Sequence, residues 1–145
     1  MMNTDRLYDI IKNIRETLSL MDKAIKVLNE TSDDGMREII MSSIKQSFLE
    51  YFILIENYTS LCLKELKLYK ISDDMDKSLI KLYQNNIFSE DIYNFLNQYR
   101  KYRNRIAHVY KQPSTEEILT FINENRENIN EVVDIMISMY KEKIK

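Results

Sequence analysis

Between Tyr99 and Lys111 the chain reads Tyr-Arg-Lys-Tyr-Arg-Asn-Arg-Ile-Ala-His-Val-Tyr-Lys, placing its one histidine, His108, among Arg100, Lys101, Arg103, Arg105 and Lys111. No acidic residue lies between Asp91 and Glu116, although the whole chain carries a formal net charge of -2. The positive charge is therefore a local feature and not the by-product of a basic protein. Clustered cations attract phosphate, and the imidazole adds the side chain whose ordinary pKa, about 6.5, suits proton transfer near neutrality. A plainer account is open for the same residues. Cations and a histidine are stabilised at a helix C-terminus by the backbone dipole, Arg103 and Arg105 can pair with surface carboxylates, and Tyr110 can pack on the last helix.

Spacing constrains the chemistry. On an ideal helix Asn104 and His108 share a face, and Arg105 lies three residues before His108. Arg103, five before it, points away by well over a right angle. A helix that ends near His108 would let the long Arg103 side chain and the imidazole converge, with Tyr110 on the exit segment. Cleaving RNA through its own 2′-hydroxyl needs a base, an acid and cations for the charged phosphorane, but no metal ion. An imidazole serves either proton transfer, and an Arg fork suits the non-bridging oxygens. One chain supplies one imidazole. A two-fold dimer with the two cationic stretches facing each other supplies two, so a homodimer is expected.

The elements that must position these residues read as helices throughout. The 145 residues predict a single domain, residues 1–145, long enough to bury a core. With only 1 Gly and 1 Pro, breakers are nearly absent. A first helix is predicted over residues 4–29, with Leu7, Ile10, Ile11, Ile14, Leu18, Met21, Ile25 and Leu28 on one stripe and Asn3 or Thr4 as its cap. The turn around Gly35 leads to a second helix over residues 34–69, apolar around much of its circumference and so buried on more than one side. Glu50 and Glu56 fall within it, where a carboxylate can orient a histidine, meet solvent, or pair with Lys or Arg. A short helix is predicted over residues 74–84. Ser89 caps a fourth whose second half is the cationic stretch. After Pro113, Ser114-Thr115-Glu116-Glu117 reads as a capping box opening one long last helix. The polar run from Asn123 to Asn130 could kink it, but no strong breaker is present. The fold class is all-α, an antiparallel bundle of four longer helices plus one short one.

Other classes recede. Cys62 stands alone in an apolar stretch, so no intrachain disulfide forms and the thiol reads as core filler. No apolar run reaches membrane-spanning length, and the charged opening residues do not read as a secretory leader, so a soluble cytoplasmic protein is expected.

Arg103-Asn104-Arg105-Ile106-Ala107-His108-Val109-Tyr110 resembles the motif of the HEPN superfamily: an Arg, a polar residue, and a His a few positions later. It is most similar to the HepT-like branch, in which four residues separate Arg from His and a Tyr follows two after the His. The resemblance implies a HEPN-like bundle and a metal-independent endoribonuclease, a toxin acting as a symmetric dimer with Arg and His lining the cleft between protomers. It implies catalytic roles for Arg103, Asn104 and His108, with Arg103 on the phosphate, Asn104 orienting the site and His108 transferring protons. It implies RNA contacts from Arg105 and Lys111. A minimal nucleotidyltransferase antitoxin would be the partner, silencing the toxin by adding AMP to Tyr110, and no cofactor is called for. HEPN-like bundles also serve as non-catalytic, substrate-binding or accessory subunits of nucleotidyltransferases, and a purely structural helical adaptor is the third reading.

Overall fold

Among the described residues of the computed structural model, 1–108 and 112–145, the chain forms six helices and no strand. They are α1 (Thr4–Glu30), α2 (Asp34–Glu65), α3 (Met75–Gln84), α4 (Glu90–Ala107), α5 (Thr115–Glu124) and α6 (Arg126–Lys143). Five begin on a short polar side chain that accepts an otherwise unpaired backbone N–H of the first turn. Asn3 takes the Arg6 N–H, Asp33 that of Met36, Asp74 that of Lys77, Ser89 that of Ile92 and Ser114 that of Glu117.

The helices end less legibly. α2 stops four residues before the predicted Tyr69. Lys67 adopts a left-handed φ of 59°, and the Leu68 N–H returns to the Leu63 carbonyl at 2.8 Å. This is a Schellman closure, usually signalled by glycine; here a lysine occupies the strained position. The predicted last helix is divided at Asn125. That residue's amide Nδ2 donates to the Phe121 carbonyl at 2.8 Å, while its backbone carbonyl accepts the Ile129 N–H at 2.9 Å and so starts α6. The Asn125 N–H still reaches the Phe121 carbonyl at 3.1 Å, and the break lies in its backbone, which leaves helical geometry at φ -115° and ψ 21°.

α1 packs along α2, α6 against α1, and α3 and α4 against α2. The core is unusually aromatic where α2 and α4 meet. Phe48 and Tyr99 stack with centroids 4.0 Å apart, Phe52 stacks on Tyr99 at 5.6 Å, and Phe121 of α5 meets Tyr99 edge-on at 5.6 Å. Two buried hydroxyls tie helices together: Tyr99 donates to the Phe48 carbonyl at 2.7 Å and Tyr51 to the Ile129 carbonyl at 3.0 Å. Burial pushes both phenols well above their ordinary pKa, so they remain donors. Cys62 lies in this interior as expected, and burial raises its thiol to about 11. Among the described residues, no helix is long and apolar enough to cross a membrane.

Candidate active site

The cationic stretch occupies the end of α4, and each of its arginines has a partner. Tyr99 fixes the rotation of the helix by its place in the ring cluster. One turn later Arg103 therefore projects toward α2, where its Nη1 donates to Glu56 Oε1 at 2.9 Å. Its guanidinium lies over the Phe52 ring, 4.8 Å from the centroid, and its Nε donates to Asn104 Oδ1 at 3.0 Å. An acid, a ring and an amide thus define the direction of one guanidinium. The Asn104 contact is to the neighbouring residue on the same helix end and is exposed. The side chains of Arg103 and Glu56 are about one-quarter and one-third exposed, so the pair is open to water. Pairs of that kind are worth about 0–1 kcal/mol, and a cation over a ring adds about 0.5–1 kcal/mol.

Arg105 turns the other way. Its Nη1 meets Glu117 Oε2 at 3.0 Å, and its guanidinium lies 5.6 Å from the centre of the Tyr102 ring, joining the end of α4 to the start of α5. Pro113, just before α5, is buried. Arg100 is spent within its own helix, donating twice to Asn97 Oδ1.

His108 is the C-terminal cap of α4. Its backbone is extended, with φ -102° and ψ 115°, and its N–H bonds to the Arg105 carbonyl, three residues back instead of four. The last turn is thereby tightened, and His108 leaves the register that would have set it squarely above Asn104. The residue is exposed. Arg103 and His108 share one helix end, as the spacing suggested, but among the described residues no hydrogen bond or ion pair joins the His108 ring to Arg103 or Asn104. Tyr110 and Lys111 lie outside the described residues.

Two residues enter the site that the motif does not contain. Glu56 could be read from sequence as a histidine's orienting acid or as a cation's partner; it is Arg103's partner. Phe52, four residues earlier on the same face of α2, forms the surface beneath the guanidinium. Their i, i+4 spacing is the signal that could have paired them. Glu50, the other acid considered, accepts only a long 3.4 Å bond from Gln46 within its own helix.

An all-helical bundle with Arg103, Asn104 and His108 at one helix end is compatible with the HEPN resemblance of the motif. Residues 21–136 match the family described as Ribonuclease HepT-like, a span that runs from within α1 to within α6 and includes the whole cationic stretch. The chain belongs to this HepT-like ribonuclease family within the HEPN superfamily. Comparison with curated proteins and with solved structures returns no match.

Proposed function

We propose that the protein is a metal-independent endoribonuclease, the toxin of a HEPN/nucleotidyltransferase toxin–antitoxin pair, cleaving RNA in a cleft between two protomers. The observation that supports this most directly is the aim of Arg103. Glu56, Phe52 and Asn104 hold its guanidinium at the helix end that carries His108. In the reaction a base removes the 2′-hydroxyl proton, O2′ attacks the adjacent phosphorus, the P–O5′ bond breaks, and an acid protonates the departing O5′. The products are a 2′,3′-cyclic phosphate and a free 5′-hydroxyl. His108 of each protomer supplies one proton-transfer group, and Arg103 donates to the non-bridging oxygens as charge builds on them. Arg105 and Lys111 hold flanking phosphates. The antitoxin adds AMP to Tyr110, placing bulk and negative charge in a cationic cleft.

The test is cleavage of RNA by the purified chain in EDTA, with His108→Ala and Arg103→Ala in parallel. Wild type should leave cyclic-phosphate ends. His108→Ala should lose about 10²- to 10⁴-fold in rate, the range for a general acid–base group, Arg103→Ala about 10²- to 10³-fold, the range for one oxyanion donor, and the wild-type mass in solution should be that of a dimer. Equal inertness of all three would overturn the nuclease reading. A second reading, a non-catalytic subunit of a nucleotidyltransferase, draws on the pairing of Arg103 with Glu56 and of Arg105 with Glu117, which offsets both charges in the free chain. RNA-independent binding to a nucleotidyltransferase by an inert wild type would favour it.

A further inference from the structure

Glu56 faces two features at once. Its carboxylate holds Arg103, and the residue also lines a pocket of about 140 Å³ formed with Thr59, Ser60, Tyr69, Lys70 and Ser78, between α2, the loop that follows it, and α3. Pockets that enclose a whole small molecule run to about 300–1,000 Å³. This one suits a single planar ring. Its lining sets three hydroxyl residues and an aromatic one beside the apolar Ile71 and Met75, with Lys70 next to Asp73, whose charge Lys81 takes up; the hydroxyls and the ring suit the edge and face of a base.

Two further observations point to a ligand. Thr59 is 1% exposed, yet its Oγ1 has no hydrogen-bond partner. A threonine inside a helix commonly donates to the carbonyl four residues back; Thr59 does not. An unpaired buried hydroxyl destabilises a fold and calls for a partner. The second observation is Tyr69, 43% exposed, with the Lys64 ammonium 4.9 Å from its ring centre. Exposed aromatic rings beside cations are where unpaired RNA bases stack.

We propose that this pocket receives the base of the nucleotide adjoining the scissile phosphate. The base stacks at Tyr69, its polar edge bonds to Thr59 and Ser60, and the neighbouring phosphate reaches Arg103 across Glu56. Lys70 holds the backbone on the outer side. The placement of the scissile phosphate rests on the nuclease reading above; the subsite adds a base preference on one side of the cut, set by residues outside the Arg103–Lys111 segment.

The test uses short single-stranded RNAs that differ at one base, together with their 2′-O-methyl counterparts, which offer no attacking hydroxyl and so report binding alone. Tyr69→Ala should weaken binding of the preferred 2′-O-methyl oligonucleotide about tenfold, within the range for loss of one base stack, and flatten the base preference of binding and of cleavage. Thr59→Val should raise the Tm of the free protein while weakening binding and discrimination severalfold. Tyr8→Ala, an exposed tyrosine outside the pocket, serves as the matched control. If Tyr69→Ala and Thr59→Val bind and discriminate like wild type, the subsite is overturned, and RNA cleavage that persists leaves the nuclease reading standing. If wild type cuts nothing but binds with a preference that Tyr69→Ala removes, the subsite stands and the nuclease reading falls. Failure of wild type to bind either RNA overturns both.

Discussion

Helices α2 and α4 meet in two places, an aromatic layer inside the molecule and an ion pair at its surface, and the two contacts lie one helical turn apart. Inside, Phe48 and Phe52 close on the Tyr99 ring, and the Tyr99 hydroxyl is bonded into the α2 backbone. Outside, Glu56 takes up Arg103 in contact with water. The first contact excludes solvent and has a single solution. The second is weak enough for a phosphate to displace. A fixed layer below and an exchangeable pair above are compatible with the phosphate role proposed for Arg103, in which the guanidinium is aimed in advance yet released to its substrate.

Substitutions can break this contrast or make it sharper. Tyr99→Ala should be the most damaging, costing about 3–5 kcal/mol as large buried aromatic deletions do, read as a lowered urea midpoint; a loss below about 1 kcal/mol would mean that the layer does not hold α4. Tyr99→Phe keeps the ring and removes the bond to the Phe48 carbonyl. Its cost should be about 1 kcal/mol, and more if that carbonyl is left badly solvated.

Glu56→Ala should change stability by less than about 1 kcal/mol and still lower the kcat for RNA about tenfold, because a small misplacement of a positioned group is expensive in rate. Glu56→Gln, which preserves the hydrogen-bond acceptor, should recover most of that rate; if the two variants are equally slow, charge and not aim is what Glu56 supplies. The smallest effect belongs to a third ion pair, between Lys143 and Glu65, which contributes no group to the site. A hydrogen bond from Lys143 at 3.0 Å holds the Glu65 carboxylate below its ordinary pKa, against an opposing effect of desolvation. A carboxylate depressed in the folded state stabilises the protein above its unfolded pKa, about 4.3, and loses that contribution as pH falls through the lower folded value. Glu65→Gln should therefore lower the neutral plateau slightly and flatten the acid limb of a stability–pH curve, leaving stability below the folded pKa nearly unchanged.

Much of the bundle could be read directly because its signals are local. Asn3, Ser89 and Ser114 cap helices where their short polar side chains predict, and the α1 stripe from Leu7 to Leu28 is buried except at Leu18, which is half-buried beside a buried Thr17. The misreadings have one cause: a backbone turn made by a residue that does not advertise it. Lys67 takes a left-handed conformation that glycine would have signalled, and the Asn125 backbone leaves helical geometry with no breaker residue to mark it. The same applies to the site. Arg103, Asn104 and His108 stand out as a motif, but the Glu56 that aims Arg103 is 47 residues away, and only the packing of α2 on α4 brings the two together. The pocket beside Glu56 was hidden for a related reason, since extending α2 to Tyr69 absorbs into a helix the loop that forms its wall.

Tyr99 and Arg103 stand four residues apart on one helix, so whatever rotates the first misdirects the second. In a genetic selection for survivors of the toxicity proposed above, loss-of-function changes would then spread well beyond the charged end of α4. Interior positions such as Phe48, Phe52 and Phe121 would be recovered alongside Arg103 and His108, and soluble protein level would separate the two groups. Survivors that still accumulate the protein would map the chemistry; those that do not would map the layer beneath it.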